Sequence, residues 1–209
     1  MIPLKSHPEP LPLALPAANP TSRARAVAGL QLADAALLHF NYHLHDVHRQ
    51  APSVDAGQFA DLASWLAALP AETAQATIAL RLARAESLRR MLDDPDWHLP
   101  ADLRERGVHL LDYLYRFDDL IPDDLPVIGH LDDALLIELS WSEFEGEVRD
   151  YEDYCRFCSE NRVRGNGEER RSAWESECLA QASAMLHRQS VRERGYARQE
   201  PLSRPFRVC

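Results

Sequence analysis

The chain has 209 residues, of which 45% are hydrophobic, and its formal net charge at pH 7 is −10. This length allows one large or two small domains with an ample core. No apolar run approaches the roughly 20 residues that cross a bilayer, and the proline-rich start is not typical of a secretory signal, so we expect a cytoplasmic protein without a transmembrane segment.

The negative charge is concentrated in the middle of the chain. Residues 112–160 carry 15 acidic and 3 basic side chains, whereas residues 161–209 carry 6 acidic and 10 basic ones. An acidic middle disfavours nucleic-acid binding, which depends on neutralising phosphates. The four cysteines are too few and too clustered for a disulfide framework and are expected to be reduced thiols.

The spacing of apolar residues predicts an all-α protein of about six helices. A proline-rich extended arm is expected over residues 1–20. An N-terminal helical region covers residues 21–95, with helices over about 21–50, 56–69 and 71–92. A second region covers residues 100–194, with helices over about 101–116, 129–161 and 168–194, and a basic irregular tail covers 195–209. Whether the two regions share a core is not decided by the pattern.

Acidic side chains alternate with proline, glycine and apolar residues between the fourth and the long fifth predicted helix. This motif consists of Asp119, Leu120, Ile121, Pro122, Asp123, Pro126, Gly129, Asp132 and Asp133. The prolines push their preceding residues into extended conformations and so end the helix, and the glycine permits a positive φ or a close backbone approach. Asp132 and Asp133 fall in the first turn of the next helix, where the helix dipole favours carboxylates. We therefore predict a rigid elbow whose aspartates serve its own backbone.

The order of residues in the elbow carries a family resemblance. Asp119-Leu120-Ile121-Pro122-Asp123, with the later Gly129 and the pair Asp132-Asp133, resembles the signature of the YkvA-like family, a domain of unknown function. The resemblance extends over roughly residues 100–160. It implies a helical hairpin and brings no known activity with it.

Two sets of residues are candidates for metal binding. If the elbow is tight, Asp119, Asp123, Asp132 and Asp133 converge, and their hard oxygen ligands suit Mg²⁺ or Ca²⁺. His39, His43 and Asp46 follow i, i+4, i+7 spacing on one face of the first helix, which is competent ligand geometry. In both sets the side chains could instead have a purely structural role, and we expect no cofactor.

Function is predicted from the acidic middle and from the lack of a recognisable catalytic motif. We expect a non-enzymatic protein-interaction module, in which Glu143, Glu147 and Asp150 form an acidic face for a basic protein partner. One alternative is a divalent-metal-dependent, hydrolase-like enzyme that uses the elbow aspartates. The other is a peripheral membrane protein that binds through an apolar elbow tip. The oligomeric state is not indicated.

Overall fold

A computed structural model describes residues 9–12, 26–27, 30–115, 120–122 and 125–194. Within these ranges it contains seven α-helices, which confirms the all-α class. The helices are α1 (Asp34–Val47), α2 (Ala56–Ala68), α3 (Ala71–Asp93), α4 (Ala101–Leu114), α5 (Leu131–Ser140), α6 (Glu145–Glu160) and α7 (Gly167–Glu193). The chain divides into two compact units, Met1–Glu152 and Asp153–Cys209.

Helix α5 is the centre of the first unit. Eight of its ten residues are buried, and it contacts α1, α3 and α4. Its sequence is apolar on nearly every side, which is typical of a helix surrounded by other helices. Helix α4 also packs on α1 and α3, so the helices before and after residue 100 share one core.

Polar side chains define the connection from α1 to α2. The Asn41 amide on α1 donates to the Val54 carbonyl and accepts from the Val54 N–H, both at 2.8 Å. Helix α2 then begins with a capping box, in which the Asp55 side chain accepts from the Gln58 N–H at 2.8 Å and the Gln58 side chain accepts from the Asp55 N–H at 3.0 Å. These bonds satisfy backbone groups that a helix start leaves unpaired.

The first helix begins later than predicted. We expected it to start near residues 21–22, but α1 starts at Asp34, and two short antiparallel strands, β1 (Ala26–Val27) and β2 (Leu30–Gln31), precede it. Apolar periodicity alone does not define a helix start, whereas an acidic residue in the first turn stabilises the unpaired N–H groups there. Asp34 provides that residue.

The long fifth helix predicted over residues 129–161 is interrupted. Helix α5 ends at Ser140, a 3-10 turn covers Trp141–Glu143, and α6 starts at Glu145. The Ser140 hydroxyl donates to the Leu136 carbonyl at 2.7 Å, a bond that competes with the helical ladder and bends helices. The buried Phe144 lies just after the turn, so the interruption also places an aromatic ring in the core.

The second unit contains the end of α6 and the whole of α7. The Trp174 indole N–H donates to the Asp153 carboxylate at 2.9 Å, and its ring packs edge-on against Tyr154 with 6.1 Å between centroids. Helix α7 starts with a capping box between Asn166 and Glu169 and continues for 27 residues. None of the described helices has the length and hydropathy that a membrane span requires.

Candidate functional site

The elbow joins α4 to α5, and its described residues are 120–122 and 125–130. Asp119 and Asp123, half of the first candidate metal site, lie outside the described residues. Leu120, Ile121 and Ile128 are buried and anchor the elbow in the core of the first unit. Backbone bonds close its turn, including one of 2.9 Å from the Gly129 N–H to the Leu125 carbonyl.

The elbow contains left-handed backbone conformations at two residues for which the sequence did not predict them. Gly129 was expected to permit either a positive φ or a close backbone approach. Among the described elbow residues the positive φ angles are those of Val127, at 72°, and His130, at 61°. Side chains other than glycine avoid this region, β-branched ones most strongly, and each such residue costs about 1–3 kcal/mol. The His130 ring contacts the Asp133 carboxylate, with 3.1 Å between Nδ1 and Oδ2, which helps to hold its conformation.

Asp132 connects the two sides of the elbow. Its side chain is fully buried in the first turn of α5, and its Oδ2 accepts hydrogen bonds from the Leu120 N–H at 2.8 Å and from the Ile121 N–H at 3.2 Å. The Tyr113 hydroxyl of α4 donates to the same oxygen at 3.3 Å. One carboxylate therefore joins α4, the start of the elbow and α5.

The protonation of Asp132 is governed by burial. Desolvation raises the pKa of its carboxyl above the usual value, and the amide hydrogen bonds from Ile121 and Leu120 oppose that rise without reversing it. The second oxygen, Oδ1, accepts no hydrogen bond from the described residues. Because donors of the chain itself occupy Oδ2, this geometry favours a structural role for Asp132 over coordination of Mg²⁺ or Ca²⁺.

The second candidate metal site lies on α1. The structure brings His39 and His43 together, with 3.1 Å between their Nε2 atoms and an edge-on ring contact. The His43 ring also lies against Tyr113, with 5.4 Å between centroids. Asp46 is half-buried one turn further along α1. In the part of the chain that the structure describes, no three His, Cys, Asp or Glu side chains form a group that could hold an ion.

The predicted acidic face consists largely of side chains that are already used inside the first unit. The Glu143 carboxylate pairs with the Arg106 guanidinium and, at 3.3 Å, with the His48 imidazole. Glu147 accepts from the Trp97 indole N–H at 3.0 Å. Asp150 is exposed. Sequence shows the charges on a helix face, but it does not show partners 37 to 95 residues away.

A buried charged cluster between α3 and α5 was missed. Arg81 is only 1% exposed, and its Nε donates to the Glu138 carboxylate at 3.2 Å. Arg84 donates to the same oxygen at 3.0 Å and lies over the Trp141 ring at 5.2 Å. Leu82, the next residue, is half-buried, whereas Arg81 lies in the core. The signal was present, because position 81 continues the inward spacing of α3 through residues 74, 78, 85 and 88.

The sequence analysis also did not predict that the C-terminal part of α7 is exposed. All fifteen residues from 175 to 189 are exposed, although the helix continues through them. Three large apolar side chains are among them, Leu179 at 69%, Met185 at 66% and Leu186 at 68% exposure. Their spacing by threes and fours, read together with Cys178 and Ala182, could have identified an apolar stripe from sequence.

Comparison with known proteins identifies no relative: no family model, no curated protein and no solved structure matches this chain. The YkvA-like resemblance therefore stays a prediction.

Proposed function

We propose that this chain is a non-enzymatic protein-interaction module that pairs with a second copy of itself through α7. The observation that carries the proposal is the exposure of residues 175–189 in a continuous helix with an apolar stripe. A helical segment of about 15 residues is marginal in water unless it packs against something. A contiguous exposed apolar surface on a protein marks an interaction site.

The apolar side chains of α7 lie on one face. At about 100° per residue they fall within an arc of about 120°. This α7 stripe consists of Cys178, Leu179, Ala182, Met185 and Leu186. The face centred opposite to it contains Ala180, Ala184 and His187. The stripe therefore has the width that helix pairing uses, and the small Ala182 at its middle allows a close approach of two backbones.

A second copy fits the α7 stripe in an antiparallel arrangement about Ala182. Leu179 then faces Met185 of the second copy, and Cys178 faces its Leu186, each contact occurring twice because of the two-fold symmetry. Arg171 faces Glu193 of the second copy in the same register. Apolar residues thus meet apolar residues, and opposite charges meet at both ends.

Charge selects the antiparallel orientation over the parallel one. The start of α7, over residues 168–177, carries four acidic and two basic side chains, whereas residues 187–194 carry three basic and one acidic side chain. Antiparallel pairing brings the net acidic start of each helix to the net basic end of the other, whereas parallel pairing brings together ends of like net charge. A second copy is thus complementary to α7 in shape and in charge.

Cysteine cross-linking tests this register. Ala182→Cys and the matched control Ala180→Cys are prepared in a chain whose four native cysteines are replaced by alanine, and helicity is checked by circular dichroism. Mild oxidation should link Ala182→Cys into a disulfide dimer and leave Ala180→Cys monomeric. Equal cross-linking of the two variants, or a monomeric Ala182→Cys chain that retains its helicity, would refute the proposed pairing.

A further inference from the structure

The N-terminal arm contains a four-residue segment, Glu9–Pro12, that docks on the first unit. Leu11 is only 4% exposed, whereas Glu9 and Pro10 are exposed. The Arg81 guanidinium donates from Nη2 to the main-chain carbonyl of Glu9 at 2.6 Å. The segment is thus held by one buried leucine side chain and by one charge-assisted hydrogen bond to its backbone.

The receptor side of this contact is built by folded helices. Arg81 is fixed by its own turn of α3, because its Nη1 donates to the Thr77 carbonyl at 2.9 Å, and by α5, because its Nε donates to Glu138. Arg84 donates to the same Glu138 oxygen. These contacts use the other nitrogens of Arg81 and direct Nη2 towards the arm. We call Arg81, Thr77, Glu138 and Arg84 the arm site.

We propose that the arm site is a peptide-docking site for an extended Pro-Leu-Pro segment of a partner protein, and that residues 9–12 occupy it in cis as a stand-in. Binding through a buried side chain and a main-chain carbonyl is how grooves recognise extended peptides. Prolines on both sides of the leucine keep the segment extended and lower the entropy lost on docking. This inference does not depend on the pairing of α7.

The chemistry of the contact specifies the ligand. Leu11 is the anchor, because it is the buried side chain. The residue two positions before it contributes only its carbonyl, so the identity of its side chain does not affect binding. The pattern is therefore any residue followed by Pro-Leu-Pro, and leucine is the position that discriminates.

The contact is weak enough for exchange. Burying one leucine and forming one hydrogen bond to a charged group gain about as much free energy as ordering a four-residue segment costs. These terms nearly cancel, so the tether decides the balance: through its effective concentration the docked arm predominates by about tenfold, and release still occurs. A partner segment with the same pattern competes with the arm.

Fluorescence anisotropy with a labelled peptide that copies residues 6–15 tests the inference. The full chain carrying Leu11→Asn has a released arm and should bind the peptide at least about tenfold more tightly than the wild-type chain, in which the arm competes at high effective concentration. A peptide carrying Leu11→Asn should not bind, whereas one carrying Glu9→Ala should bind like the original. Equal binding to both chains, or none to the Leu11→Asn chain, would overturn the proposal.

A second measurement keeps the docking site testable if Leu11→Asn destabilises the chain. Leu11→Ala is a milder release of the arm. Excess peptide should raise the melting temperature of either variant more than that of the wild-type chain, in which the peptide must first displace the arm. A variant that folds by circular dichroism but whose melting temperature does not respond to the peptide contradicts the docking site.

Discussion

Replacing Asp132 by alanine tests whether the elbow depends on this one carboxylate. The change removes the acceptor of two backbone N–H groups, those of Leu120 and Ile121, and both residues are buried. A buried donor left without a partner costs about 1–3 kcal/mol. Relief of the desolvation of Asp132 offsets part of this cost. We expect Asp132→Ala to lower the free energy of unfolding by about 3 kcal/mol, which corresponds to about 6–12 °C in melting temperature for a chain of this size.

Urea unfolding followed by circular dichroism measures this effect. Asp132→Asn keeps an acceptor oxygen for the two amides and should lose less than half of the stability that Asp132→Ala loses. Asp150→Ala, which removes an exposed aspartate, should leave the unfolding midpoint unchanged. If Asp132→Ala unfolds at the same urea concentration as the wild-type chain, the carboxylate does not hold the elbow and the reasoning is wrong.

Three further predictions concern titration, the buried cluster and metals. Burial raises the pKa of Asp132 above its unfolded value, so its contribution to stability is complete below about pH 4 and is lost as the pH rises through the raised pKa. In urea titrations above about pH 4, the stability of the wild-type chain relative to Asp132→Asn should therefore fall as the pH rises. A rise would show that the amide hydrogen bonds outweigh desolvation in setting this pKa. Glu138→Gln leaves Arg81 and Arg84 without their shared carboxylate and should cost about 3–5 kcal/mol, whereas Glu86→Gln, in an exposed pair, should leave the urea midpoint unchanged. Mg²⁺ or Ca²⁺ should raise the melting temperature of the wild-type chain no more than that of Asp132→Asn, and a selective rise would favour the metal site.

Helix periodicity predicts much of this fold because α2, α3 and α4 each bury one side. The helices over 56–69, 71–92 and 101–116 were predicted within about two residues of α2, α3 and α4. The break after Ser140 was missed, because it depends on a side-chain bond to the Leu136 carbonyl that leaves the apolar spacing intact. The late start of α1 was missed because an apolar run continues before Asp34 without a marked boundary.

The candidate site depends on contacts between distant residues, and the spacing of residues in the sequence does not show which of these contacts form. Six aspartates lie between residues 117 and 133, and the sequence placed Asp132 and Asp133 together in a first helical turn without distinguishing between these two. Only the fold shows that Asp132 receives the amides of the elbow, because that choice requires Tyr113 on α4 to lie beside the start of α5. Arg81 was different, since its inward position was readable from the spacing of α3 and only its charge argued against a core position.

Sedimentation equilibrium over a range of micromolar concentrations tests the central claim, that α7 pairs with a second copy, most directly. The wild-type chain should approach twice its monomer mass of 23.7 kDa as the concentration rises. Leu179→Glu with Leu186→Glu places charge in the stripe and should keep the chain monomeric, whereas Ala180→Glu with Ala184→Glu places the same charge on the opposite face and should leave dimerisation intact. A wild-type chain that stays monomeric throughout, or two double variants that dimerise equally well, would contradict the account.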